Sequence, residues 1–322
     1  MKRCNVITLI VISILILLQI NVTAQVTEAE KTLRDVKVDS VKGWKFGGVF
    51  NLGFSQTAFT NWAAGGLNTI SGNTMFSTFA NYRSPKMSWD NQLDFSYGLL
   101  KQGDVDKVVK TDDKIDFTSK YGYKAGKNLF YAILGNFKTQ TMPGYQNPED
   151  SMKISDFMSP AYILVAAGLD YHPSEKLTVF LAPLTQKTTI VNSAYLADAG
   201  SYGVEPATYD NNLYVPGKKI RTELGGYLRV FYKEKLHENV NFQTKLDLFS
   251  NYLHNPQNID VNWEVLINFK ITKYFSTAIS TQLLYDDDII VNVDKNNDGI
   301  IEASGPRIQF KEIVTIGFSY KF

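Results

Sequence analysis

The chain has 322 residues, with 33 Lys and Arg against 32 Asp and Glu, three His and one Cys. This balance excludes a basic nucleic-acid binder and a polybasic membrane patch. Aromatic residues make up 13% of the chain although mean hydropathy is slightly negative; a transmembrane β-barrel has such averages because only alternate residues meet lipid, but so has a secreted β-sandwich.

In chain order, Met1-Lys2-Arg3 gives a positive start, 6–20 is an apolar run, and Val22-Thr23-Ala24 is a small-residue cleavage site. These features predict a secretory signal peptide over 1–24. Cys4 precedes the apolar run, which argues against a lipid anchor. A polar periplasmic lead follows over 25–42, and the segment 43–322 is expected to form one outer-membrane β-barrel.

Within 43–322, alternation of apolar and polar residues marks about twelve strands. They lie near 44–54, 70–82, 87–99, 115–123, 129–140, 161–171, 177–187, 220–233, 240–252, 259–271, 275–285 and 308–322. The clearest sets Ile259, Val261, Trp263, Val265, Ile267 and Phe269 against Asn262, Glu264, Asn268 and Lys270. Connections alternate as well: short turns near 83–86, 124–127, 173–176, 234–238 and 272–274, and long loops near 56–69, 102–113, 141–159, 188–219 and 286–307. Only 254–258 is short where a long loop is due. The fold class predicted is a closed antiparallel transmembrane barrel with short periplasmic turns and long extracellular loops, an arrangement a soluble sandwich has no reason to adopt.

Tyr82 and Trp89, Tyr123 and Phe130, and Phe269 and Phe275 flank short turns, the expected place for an interfacial aromatic girdle. The last strand carries Phe318, Tyr320 and Phe322 on one face and resembles the C-terminal signal read by barrel-insertion machinery. Two residues strain the pattern: Glu312 falls on the lipid face, and Pro183 needs a bulge. Gly98 and Gly168 are also expected at bulges or close packing.

The inward faces predict a charged lumen. It takes Lys45 from the first strand, Asp90 and Asp94 from the third, and Lys114, Asp116 and Lys120 from the fourth. Lys138 comes from the fifth, Arg221, Glu223 and Arg229 from the eighth, Lys245 and Asp247 from the ninth, and Glu264 and Lys270 from the tenth. Both signs are interspersed, which leaves two readings open: a narrow polar pore, or a lumen plugged by its own charge pairs.

Several stretches add a resemblance. They are Asn61-Trp62-Ala63-Ala64-Gly65-Gly66, Ser88-Trp89-Asp90-Asn91, Lys110-Thr111-Asp112-Asp113-Lys114-Ile115-Asp116, Leu196-Ala197-Asp198-Ala199-Gly200, 245–253, 255–264 and 305–312. Together they resemble a family of Bacteroidetes outer-membrane β-barrels known mainly as a domain of unknown function. The resemblance implies location and architecture, with no reaction, substrate or site residue to carry over.

Candidate chemistry is sparse. A rim hydrolase needs His, Ser and acid groups at the outer mouth. Of the three His, His172 and His237 fall in short turns, and only His254 is extracellular, with Ser250 and Asp260 near it in sequence. The run Asp294, Asn296, Asp298, Ile300 and Glu302, with Gly299 at the turn, resembles the first nine positions of an EF-hand calcium loop, but the twelfth is Gly305 where a glutamate is needed. A solvated acidic loop is the competing reading. The expectation is therefore a non-enzymatic barrel without a resident cofactor, either a narrow channel for small polar solutes or a structural element of the envelope. Its partners are outer-membrane lipid and the insertion machinery. A rim hydrolase is one alternative; a partner of a secretion or assembly complex, contacting through 61–66 and 188–219, is another.

Overall fold

The computed structural model describes residues 42–58, 68–103, 108–145, 152–210, 213–272, 274–293 and 303–321. The expected signal peptide and lead, the 61–66 segment, the calcium-like run 294–302 and Phe322 lie outside them.

Twelve antiparallel strands close into a barrel. In chain order they are β1 (Gly43–Thr57), β2 (Thr69–Arg83), β3 (Met87–Gln102), β4 (Val109–Lys124), β5 (Leu129–Thr139) and β6 (Ala161–Tyr171). They continue as β7 (Leu177–Ile190), β8 (Ile220–His237), β9 (Val240–Asn251), β10 (Ile259–Lys270), β11 (Phe275–Tyr285) and β12 (Gln309–Lys321). Every strand pairs with its sequence neighbours, and β12 returns to β1. All twelve expected strands are present, the main difference being that β4 starts at Val109, which shortens the loop before it.

The closing seam is the briefest pairing, running from Val49↔Lys321 to Gly53↔Gly317. A Cβ on Gly317 would meet the Leu52 carbonyl oxygen at 2.5 Å, so this close approach requires glycine.

Alternation sorts the side chains. On β1, Trp44, Phe46, Phe50, Leu52 and Phe54 are exposed outward, whereas Val49 and Asn51 are buried inward. On β12, Phe310, Val314, Ile316 and Phe318 point outward, and so does Glu312, close to the long-loop end and paired with Thr281. The register expected for Glu312 holds. The outer face is thus an apolar belt of the kind that suits hydrocarbon.

Pro183 sits in a bulge. Register shifts on both sides of β7, between Ala167 and Leu169 and between Gly225 and Tyr227, show one extra residue in that strand. A Cβ on Gly168 would come within 2.0 Å of the Leu181 oxygen, so the bulge needs a bare backbone opposite it. Gly98 marks a second shift, between β3 and β4.

At the short-turn end, Trp44, Tyr82 and Trp89 are cross-strand partners, with Trp44 5.5 Å from each of the other two rings. Exposed Tyr123, Tyr131, Tyr171 and Phe275 stand at the same end. Phe130 is a correction. It is 4% exposed and points into the barrel with Ala132 and Leu134, because inward parity on β5 is even-numbered; Tyr131 takes the outward place. Among the described residues, no helix is long and apolar enough to cross a membrane, which does not bear on strands.

Candidate functional site

The lumen is the candidate site, and it is filled in layers. At mid-height, four cations and four carboxylates meet. Arg229 on β8 donates from Nε and Nη2 to the two oxygens of Asp247 on β9, at 2.6 and 3.0 Å, and Tyr227 donates to the same carboxylate at 2.8 Å. Lys245 on β9 lies 2.9 Å from Glu264 on β10. Asp116 on β4 accepts from Asn136 at 2.6 Å and stands 3.6 Å from Lys138 on β5. Asp94 is held by Ser77 and Gln92, at 2.5 and 2.8 Å. Lys114 on β4 interacts with Asp94, Asp116 and Glu264.

The contacts in this layer join neighbouring strands, and its charges are felt across the barrel. β4 and β10 are six places apart in a ring of twelve, so Lys114 and Glu264 come from opposite walls. Arg229 on β8 likewise lies in the field of Asp116 on β4. Beside the charges, Leu134, Ala166, Phe180, Ala182 and Phe249 form an apolar cluster inside the lumen, on the wall from β5 to β9.

Toward the long loops lies a second layer around Lys187. Its Nζ is 2.6 Å from Asp260, 3.0 Å from Asp286 and 3.5 Å from Glu223. Asp286, Asp287 and Asp288, which follow β11, are pinned in succession: Asp286 by Lys187, Asp287 by Asn258 at 2.5 Å, and Asp288 by Arg221. Arg221 also bonds Glu223 at 2.8 Å. Three consecutive carboxylates thus strap a loop into the mouth.

Above the strap, the 188–219 loop folds into a cap. A short helix, Ala194–Asp198, gives Leu196 and Ala197 to a small core with Val191 and Val204, and Thr208–Asp210 pairs with Leu213–Val215 in an exposed hairpin. Asp198 joins them, accepting from the Tyr214 hydroxyl at 2.5 Å and the Gly217 N–H at 2.8 Å, and these bonds hold its carboxyl below the usual carboxylate range. Tyr202 donates to the Ile154 carbonyl at 2.6 Å, linking this loop to the previous one, and burial pushes its phenol up to about 12.

At the short-turn end the lumen opens into a cavity of about 550 Å³. Arg83 and Asp90, 2.5 Å apart, are on its wall, as are Lys120 and His172. Lys120 and His172 both reach Asp170, at 2.5 and 2.8 Å, and Phe130 lies 5.3 Å from the His172 ring.

By alternation, Lys45 and Lys270 also take inward-facing positions on β1 and β10. Lys187, Asp260, Asp170 and Arg83 were missing from the expected lumen set. Lys187 was hidden by the Pro183 bulge: Leu184 is 69% exposed and Thr185 1%, so parity flips there and Lys187 turns inward. The Ser250, His254 and Asp260 grouping does not assemble. Ser250 pairs with Ile259 and Asp260 with Phe249, which puts them on opposite faces of the sheet. Ser250 donates to the Pro256 carbonyl, and His254 contacts Asn255. No group of three or more His, Cys, Asp or Glu arranged to hold a metal is present among the described residues.

Residues 54–145 match the family described as Protein of unknown function (DUF3078). The resemblance to a domain of unknown function holds over that stretch, and the DUF3078 match runs from β1 to the loop after β5. No curated protein matches the chain. Among solved structures, an outer membrane channel from Pseudomonas putida F1 is similar at 12% identity with a TM-score of 0.38, covering 89% of this chain and 98% of that one. The translocator domain of the autotransporter NalP from Neisseria meningitidis is similar at 10% identity with a TM-score of 0.39, covering 93% and 96%. Likenesses this low carry nothing about role, and the barrel assignment rests on the strand pairing itself.

Proposed function

We propose that this chain is a non-enzymatic outer-membrane barrel whose lumen is closed by its own side chains, a structural element of the envelope in place of a free-diffusion pore. The apolar outer belt, the aromatic residues at the short-turn end and the sorting of loops by length support the membrane location. On this reading its partners are outer-membrane lipid and the insertion machinery, and it uses no cofactor.

One observation carries the closed state: the mid-height layer, where ion pairs between neighbouring strands, Arg229 with Asp247, Lys245 with Glu264 and Lys138 with Asp116, stand at one level of the lumen and Lys114 lies in the field of carboxylates from both walls. Charges paired in this way leave no single-sign field to draw solutes through. Reconstitution of the purified protein into planar bilayers tests it. No steady unitary current is expected in symmetric salt, and a steady current from the unmodified barrel overturns the proposal. A gated channel is the second reading, favoured by a strap held through ion pairs, which can release without unpacking a core.

A further inference from the structure

The cavity at the short-turn end has no use in a closed structural barrel, yet its wall includes buried Arg83, Asp116, Phe130 and Phe180. We propose that it is a binding site for a neutral saccharide of one or two rings, entering from the short-turn side.

Three features point to that class. The volume, about 550 Å³, falls in the range of small-ligand sites, roughly 300–1,000 Å³. The inner cations on its walls already have partners, Arg83 with Asp90, Lys120 with Asp170, Arg229 with Asp247 and Lys245 with Glu264, while Lys127 and Glu175 stand exposed at its mouth. An ionic ligand would have to break one of these pairs, and an apolar ligand would strip their remaining hydration with nothing in return. A polyhydroxylated neutral molecule does neither, since each hydroxyl both donates to a carboxylate and accepts from a cation.

The third feature is an unused donor. Arg83 is 8% exposed, and its Nη1 bonds the Tyr82 carbonyl and faces Asp90, but its Nε has no partner. A buried N–H of this kind beside a carboxylate matches one vicinal diol, with one hydroxyl accepting and its neighbour donating. Phe79 and Phe231, also on the wall, offer the apolar surface that a sugar ring's C–H face requires. Asp94, Asp116, Arg229 and Lys245 of the mid-height layer line its inner end, so the proposed site is a cup entered from the short turns.

The test is saturation-transfer NMR on the full barrel in a detergent without a sugar headgroup, with maltose, cellobiose and N,N′-diacetylchitobiose as probes and citrate as the ionic control. Saturation of ring protons is expected for at least one saccharide, with none for citrate. Thr178→Trp, inside the cup, is expected to weaken that binding at least tenfold, as is Glu175→Trp on the exposed turn at its mouth, a change the fold tolerates more readily. Lys187→Met, at the other end of the lumen, is expected to leave it unchanged. Absence of transfer to all three saccharides, stronger transfer to citrate, or undiminished binding in Glu175→Trp each overturns the proposal. The readout is equilibrium binding from one side, so it stands or falls separately from the conductance result.

Discussion

Arg229 and Asp247 share two hydrogen bonds in the middle of the lumen, and both are shielded from solvent. Removing one partner leaves a buried charge uncompensated, which typically costs about 3–5 kcal/mol, whereas replacing both with apolar residues of similar volume is often neutral. Asp247→Ala is therefore expected to lower stability by about 3–5 kcal/mol, and the pair Arg229→Met with Asp247→Leu to stay close to the parent. Urea unfolding in micelles, followed by the gel shift between folded and heat-denatured forms, measures both. Equal losses in the two variants would show that the ion pair itself holds the wall. At this scale the sequence was legible wherever alternation ran unbroken, as for both of these residues. It was silent at Lys187, because a bulge reverses parity without leaving a mark beyond Pro183. It was also misleading at Phe130, where a ring beside a turn serves the inside as readily as the girdle.

Among the elements, strands were easy to read and loops were not. A strand that must show one face to hydrocarbon and the other to a polar interior repeats every two residues, so all twelve appear in the sequence. A loop has no period, and nothing in 188–219 announced that its helix and hairpin meet over the mouth. Asp198 is the joint between them. Its carboxyl is depressed from 3.8, chiefly by the Tyr214 hydroxyl and then by the Gly217 N–H. A depressed carboxylate stabilises the cap at any pH above its unfolded value and is lost only as pH falls through the lowered folded value. The cap is therefore expected to stay equally protected between pH 7 and 5 and to loosen only in stronger acid. Amide exchange at Gly217, corrected for intrinsic rate, measures this, and Asp198→Ala should speed that exchange several-fold between pH 7 and 5, with the difference shrinking in stronger acid. Loosening already at pH 5 would mean that a different group holds the joint.

At the scale of the molecule, the barriers stand in series: the cap, the strap on Lys187 and Arg221, and the charge layer between β4 and β8–β10. Barriers in series are governed by the tightest, so opening one should change little while the others remain. The strap variant Lys187→Met leaves the layer below it intact, and is expected to conduct no more than the parent. Lys114→Ala with Glu264→Ala removes opposing charges from the layer but leaves the strap, and should also stay silent. Only the combination, with both barriers breached and the cap loops 190–218 replaced by a short turn, is expected to give steady unitary currents in planar bilayers. The mixed signs along the walls make those currents weakly selective between cations and anions. If the strap variant alone conducts, the charge layer is no barrier, and the barrel is a channel gated at its mouth. The residues of each barrier come from strands far apart in sequence, so which charges pair across the lumen was decided by closure of the barrel and could not be read from any one segment.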